Sequence, residues 1–389
     1  MGVTSMSARN PSEDMPRDIP AGATGVIVID LAQVRANWCA LARHVAPAKC
    51  GAVVKADAYG VGAARIIPAI ANAGCSVFFV ATPEEARDAR AFAPNATIYV
   101  LDGLLPGTAR LLRSIDAIPV LSSLSQAREW ADHTSDRADP APAALHIDTG
   151  LNRLGMSQEE VEELSRDVDL LARLRLALVM THLACADEAG HPMNRQQLDT
   201  FHRLRGSLPF APASIAASDG MMLSAEYHCD LVRPGYALYG GQAAPGRLTP
   251  VGPVVRVSAR ILQVREVSCG ERIGYSASYC AHKPHRIATV AAGYADGVFR
   301  HASATNEEPG GAVSIRGKRA PIVGRVSMDL ITVDVTQIDD PEPAPGDWVD
   351  LVGPDLAMES VGSDAKTIGY EVLTRLGPRF HRVYLDQGD

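Results

Sequence analysis

A chain of 389 residues is long enough for one large domain and a smaller second one. With 47% hydrophobic and 21% charged residues it has the profile of an ordinary soluble globular protein. Its net charge of -8 argues against a nucleic-acid or anionic-membrane surface as its main partner.

The first 22 residues are polar, with prolines at 11, 16 and 20 and no apolar core of signal-peptide length, and they read as a loose tail. No segment has the length and apolarity of a membrane span, so the expected location is cytoplasmic. The apolar run VIVIDL (26–31) is a first strand, left open between the following domain and the last one. Eight further runs then alternate with helix-like segments: GAVVKA (51–56), SVFFVA (76–81), TIYVLD (97–102), AIPVLS (117–122), ALHIDT (144–149), LALVMTHL (176–183), ASIAAS (213–218) and DLVRPG (230–235). They are continuously apolar, as strands buried on both faces of a parallel sheet must be. Between them, PEEARDARAFA (83–93) and QEEVEELSRDVDLLARL (158–174) read as helices, the second with Val161, Leu164, Val168 and Leu171 on one stripe. Eight strand-then-helix units favour an α/β TIM (β/α)8 barrel over an open doubly wound sheet, spanning 23–250. From 251 to 389 the texture changes. VVRVSARILQVREV (254–267), RIATVAAGY (286–294), AVSIRG (312–317) and MDLITVDV (328–335) are β-branched with little helical period, so a mostly β C-terminal domain is expected. The seven cysteines are scattered with no C-x-x-C pair. Cys50, Cys75 and Cys229 each open an apolar run, which favours buried reduced thiols over disulfides or zinc ligands.

A barrel of this kind works at the carboxyl ends of its strands. Those ends carry Lys55, Arg153 just beyond Asp148 and Thr149, His182, Ser218 and Arg233. Each alone has a plain reading as a surface lysine, a salt-bridged arginine, a packed histidine or a helix cap. Together they form a cationic rim suited to a small anion carrying phosphate and carboxylate. Ser218-Asp219-Gly220 and Arg233-Pro234-Gly235-Tyr236 follow the seventh and eighth strands, where this fold usually holds a phosphate. By contrast, Gly60-Val61-Gly62 is a poor dinucleotide fingerprint, because Arg65 stands where a third glycine is needed. A phosphate site with a lysine able to bond an aldehyde points to pyridoxal 5'-phosphate (PLP).

Seven segments, in order, resemble the motifs of alanine racemase: KADAYGVG (55–62), DTGLNRLG (148–155), THLACADE (181–188), VRPGYALYG (232–240), GYSASY (274–279), AAGYADGV (291–298) and GRVSMDL (324–330). The resemblance covers almost the whole chain after the tail. It implies a PLP-bearing barrel followed by a β domain, and a head-to-tail homodimer with active sites shared between subunits. The implied activity interconverts L- and D-alanine through a PLP aldimine and two-base proton transfer, supplying D-alanine for peptidoglycan. Lys55 would hold PLP, Tyr59 and Ser218 with the backbone of Gly235 and Tyr236 would hold its phosphate, and Arg233 would face the pyridine nitrogen. His182 would link that region to the second base, and Arg153 would stand near the substrate carboxylate and the phenolic oxygen. Tyr275 would be the second base and the Met328 N–H would meet the substrate carboxylate, both in the partner's active site.

The match departs in places. Val61 stands where the family often has His, Ala217-Ser218 where it has Asn-Ser, and Pro378 where some members place a phosphate-binding tyrosine. His146 stands where many members carry a carbamylated lysine beside the arginine; either it packs at the strand end while solvent or an anion such as chloride meets Arg153, or, neutral, it accepts a hydrogen bond from Arg153. A broad-specificity racemase acting on serine or lysine shares every motif. A PLP-binding homeostasis protein would lack the β domain, and a PLP decarboxylase of similar plan would need a glycine-rich phosphate motif that is not evident.

Overall fold

The computed structural model describes residues 15–16, 18–134, 140–242 and 250–386. The expected loose tail falls largely outside these residues. Met15 and Ile19, however, pack against Val26, Val28 and Trp348. The chain divides into two compact units, one spanning Gln33–Gly252 and the other built from the residues before it together with Pro253 onward.

In the first unit a parallel sheet runs in sequence order through Ala52–Val53, Val77–Val80, Thr97–Val100, Ile118–Leu121, Pro142–His146, Arg175–Met180 and Ala213–Ser214. An eighth strand, Leu231–Val232, closes it into a TIM barrel. On one side the Asp230 and Arg233 N–H groups donate to the carbonyls of Ala213 and Ala216 at 3.1 and 2.9 Å. On the other, those of Gly51 and Val53 donate to Val232 and Pro234 at 2.9 and 2.8 Å. Closure leaves no sheet edge, and the near-total burial of Phe78, Phe79, Ile98, Val100, Val120 and Leu145 explains their continuous apolar runs. The crossover helix Pro83–Phe92 begins at a capping box in which Thr82 accepts from the Glu85 N–H.

The expected helix over 158–174 breaks in two, Gln158–Arg166 and Val168–Ala172. Asp167 leaves the helical region and caps the second piece by accepting from the Leu170 N–H at 2.9 Å. The rotation at that point turns Val168 to solvent and buries Leu170 in its place.

The second unit is mostly β. Its main sheet runs Lys318–Pro321, Ala312–Ile315, Trp348–Val352, Val255–Val267, Gly25–Asp30 and His381–Leu385. The run VIVIDL thus forms a strand here, antiparallel to Val255–Ala259 and parallel to His381–Leu385. A register shift between Ile261 and Gln263 lets the far end of the long strand pair with His285–Val290 instead, which in turn pairs with Ile331–Asp334. All seven cysteines are free thiols, but only Cys75 is buried; Cys50 and Cys229 sit at the short strand ends flanking the barrel closure and are half-buried. Among the described residues no helix is long and apolar enough to cross a membrane.

Candidate active site

The first barrel strand ends in an unusual turn. Residues Lys55–Tyr59 form one helical turn in which Ala56, Asp57, Ala58 and Tyr59 have φ of 54°, 52°, 53° and 59°, all left-handed. Such a conformation costs an L-residue roughly 1–2 kcal/mol each, because Cβ crowds the following carbonyl. The turn is held by bonds from the Ala58 N–H to the Val54 carbonyl (2.9 Å) and from Gly60 to Ala56 (2.7 Å). The Asp57 carboxylate accepts from the Ala63 N–H at 2.7 Å. Its consequence is placement. Lys55 sits at the strand end, while the Tyr59 ring turns inward, buried, and lies 4.9 Å from the Tyr239 ring. Burial raises the Tyr59 phenol above its ordinary pKa, so it stays a neutral hydrogen-bonding group.

Around the last two strands lies a cradle. The Ser218 hydroxyl accepts from the N–H groups of Gly235 and Ala237, both at 3.1 Å, at the start of the short helix Tyr236–Tyr239. A Cβ added at Gly235 would lie 2.2 Å from the Tyr59 hydroxyl oxygen, so glycine is needed for the two segments to meet. Backbone N–H groups, a serine hydroxyl and a tyrosine hydroxyl thus converge at the mouth of the barrel, the donor set a phosphate requires.

Beside the cradle Arg233 is buried, only 3% exposed. Its guanidinium donates to the Ser214 hydroxyl and to the Thr181 carbonyl, the latter at 2.8 Å, and lies over the Phe79 ring at 5.9 Å. Burial lowers its pKa to about 10, which leaves it a cation at neutral pH. Its neighbours give way instead. Burial and then the Arg233 charge lower His146 to about 4 and His182 to about 3, with Arg153 adding to both. Lys55 is likewise pushed below its usual basicity, first by burial and then by Arg153, against the opposing pull of Asp102 and Glu85.

Arg153 itself stands exposed on the loop after the fifth strand, which is tied down where Asp148 accepts from the Gly150 and Asn152 N–H groups. The expected hydrogen bond from Arg153 to His146 is not made. His146 is packed at the strand end, 6% exposed, while the loop carries Arg153 outward, and Arg153 has no hydrogen-bond partner among the described residues. Gln197, which no sequence motif marks, is fully buried and joins the two neighbouring loops. Its amide donates to the Thr149 hydroxyl (3.1 Å) and the His182 carbonyl (3.0 Å), and accepts from the Ala184 N–H (2.8 Å). Only its three-dimensional position shows this role, since one glutamine on the helix Pro192–Arg205 carries no signal.

Tyr275 and Met328 belong to the second unit. Tyr275 is 70% exposed at the tip of the hairpin between Arg272–Ile273 and Tyr279–Cys280, where Gly274, Ser276 and Ala277 all have positive φ. Met328 is 53% exposed. Its carbonyl accepts from the Ala295 N–H at 3.0 Å, while its own N–H has no partner among the described residues.

What the barrel mouth can hold follows from these parts. The cradle fits a phosphate, and a lysine short of its usual basicity can bond covalently to an aldehyde. PLP carries both groups, and these residues fit it, as in the class of barrel-type PLP enzymes.

Models of the alanine racemase N-terminal and C-terminal domains match residues 29–243 and 254–384. The alanine racemase of Methylobacterium nodulans is 45% identical over 360 residues, covering 92% of this chain and 96% of that protein. That of Brucella abortus is 44% identical over 389 residues, 96% of each chain. Among solved structures, the alanine racemase of Bartonella henselae with covalently bound pyridoxal phosphate superposes with a TM-score of 0.89 at 39% identity, covering 93% of this chain and all of that one. The chain belongs to the alanine racemase family.

Proposed function

We infer that the chain is a PLP-dependent isomerase interconverting L- and D-alanine, with Lys55 as the lysine that bonds the cofactor. The observation that carries this is the barrel mouth, where Lys55 follows the first strand four residues before a tyrosine hydroxyl lodged against the Ser218–Gly235–Ala237 cradle. Tyr59, Ser218 and the backbone of Gly235 and Tyr236 would hold the phosphate. Arg233, a cation fixed by two neutral acceptors, would meet the ring nitrogen and disfavour a second positive charge there. When bound, PLP supplies the electron sink that lets the substrate Cα–H ionise.

Inversion at Cα needs a proton removed from one face and returned to the other, so one base per face is the economical arrangement. The Lys55 amine serves one face. Its lowered basicity gives it a larger neutral fraction near pH 7 than a solvated lysine has, and only the neutral amine accepts a proton. The Tyr275 phenol serves the other face. Arg153 and the unpaired N–H of Met328 hold the substrate carboxylate, and His182 links the cofactor region to the second base. Tyr275 and Met328 act in the partner's site of a homodimer. Their exposure, together with that of Leu330 in the same unit, supports this reading. The product serves peptidoglycan synthesis in the cytoplasm. The test is direct: chain loaded with PLP should convert L-alanine to a racemic mixture, by chiral chromatography, without added keto acid. Retention of pure L-alanine by the yellow, PLP-loaded protein would overturn the reading.

A further inference from the structure

We propose that Glu85 is a positioning residue for this reaction, its carboxylate tying the left-handed turn that carries Lys55 and Tyr59, after the first barrel strand, to the end of the second barrel strand. A glutamate three residues after a helix N-cap ordinarily folds back on that cap alone. Here only one oxygen does so. Glu85 Oε2 accepts from the Ala81 N–H at 2.7 Å and from Thr82 at 3.4 Å. Oε1 reaches across to accept from the Ala56 N–H at 2.7 Å, 29 residues away in sequence.

That N–H needs an outside partner. The bonds within the left-handed turn begin with the Ala58 N–H, so the Ala56 donor, at the start of the turn, is left over as at the start of any helix. Ala56 is also the first of the left-handed residues and directly follows Lys55. A charged acceptor fixed at this point opposes relaxation of the strained turn and ties it to the neighbouring strand. Glu85 has no ion-pair partner among the described residues, so its charge is committed to backbone donors. It is also, with Asp102, one of two carboxylates that oppose the burial and the Arg153 charge depressing Lys55.

The inference rests on Lys55 being the cofactor-bearing lysine, and the test separates the two ideas. Full-length E85A, E85Q and T82A are compared by amide hydrogen exchange of peptides spanning 54–60, with PLP and after its removal. T82A weakens the helix cap while leaving the bracket, since the Thr82 hydroxyl only receives the Glu85 N–H. We expect exchange over 54–60 to rise at least tenfold in E85A and at least threefold in the isosteric E85Q, and to stay within twofold in T82A. Should E85A fail to fold, E85Q carries the test, because its amide cannot accept from both neighbouring N–H groups. In E85Q, kcat at saturating PLP should fall at least tenfold with KM for alanine changed less than threefold. Exchange in both Glu85 variants equal to that in T82A would overturn the bracket. Faster exchange with kcat unchanged would overturn positioning and leave only a structural tie. Loss of the Lys55 assignment by other means would not alter the exchange result.

Discussion

His146 should make the barrel sensitive to mild acid, and the size of the effect follows from its burial. The imidazole lies among cations, and its pKa falls from 6.5 to about 4 in the folded chain. Because the folded value is the lower one, the unfolded chain binds the proton first as pH drops. Stability is therefore complete above about pH 6.5 and is lost progressively as pH falls toward 4. Between pH 7 and pH 5 the unfolded imidazole becomes almost fully protonated while the folded one stays neutral, a loss of about 2 kcal/mol from this residue alone. His182 adds to it with the same sign, although its partial exposure reduces its share. His146→Asn removes the titration while keeping a polar side chain. For a unit the size of this barrel, about 2 kcal/mol corresponds to a melting shift of about 4–8 °C. Thermal melts of the chain without PLP should thus show the wild type losing that much more than His146→Asn between pH 7 and pH 5. Parallel curves for the two proteins would refute a neutral buried His146. Since histidine cannot form a carbamate, activity should also be indifferent to bicarbonate.

Lys55→Ala should lose racemisation by at least roughly 10²–10⁴-fold, as loss of a positioned base requires, together with the borohydride-reducible PLP adduct; a persisting adduct would mean that another lysine bears the cofactor. Gly235→Ala would force a shift of Tyr59, since the new Cβ meets its hydroxyl oxygen at 2.2 Å; an overpacking cost of about 1–3 kcal/mol predicts PLP affinity lower by roughly 5- to 150-fold, read by fluorescence titration. Tyr275→Phe should abolish solvent-deuterium incorporation from one alanine enantiomer while sparing some with the other, whereas equal loss from both would make Tyr275 structural. Mixing inactive Lys55→Ala with inactive Tyr275→Phe should restore part of the activity, because one site of the mixed dimer carries neither lesion; no rescue under proven subunit exchange would put both bases in one chain.

The strand ends were readable because continuous apolar runs stop where polar side chains begin, and Lys55, Ser218 and Arg233 each stand at such a stop. Strand lengths were less readable. ASIAAS and DLVRPG contribute only Ala213–Ser214 and Leu231–Val232 to the ladder, since their remaining residues leave it to build the cradle and seat Arg233. The left-handed turn carried no sequence signal. KADAY contains no glycine or asparagine, and the strain is sustained by Glu85 and by packing of Tyr59, which are long-range features. Thr82 and Glu85 mark a helix start in sequence, but the second oxygen's bond to Ala56 exists only in the fold. The Arg153–His146 bond failed for a related reason. Sequence placed both at one strand end, and the Asp148-anchored loop decides which way each side chain goes.

The electrostatics of the mouth give a reason for an electron-rich ligand that is independent of any motif. Arg233 is a buried guanidinium with no carboxylate partner among the described residues, satisfied only by a serine hydroxyl and a carbonyl. An uncompensated buried charge costs several kcal/mol even after its hydrogen bonds are made. His146 and His182 do not add to that cost, because burial first and the Arg233 charge second hold both far below their ordinary pKa and so neutral. They cannot remove it. The cradle beside Arg233 is likewise built of N–H groups gathered on the Ser218 oxygen and contains no carboxylate. Both features favour a ligand that brings phosphate oxygens to one and a ring nitrogen lone pair to the other. The lowered basicity of Lys55 belongs to the same setting: burial depresses it first, and the charge of Arg153 adds to that.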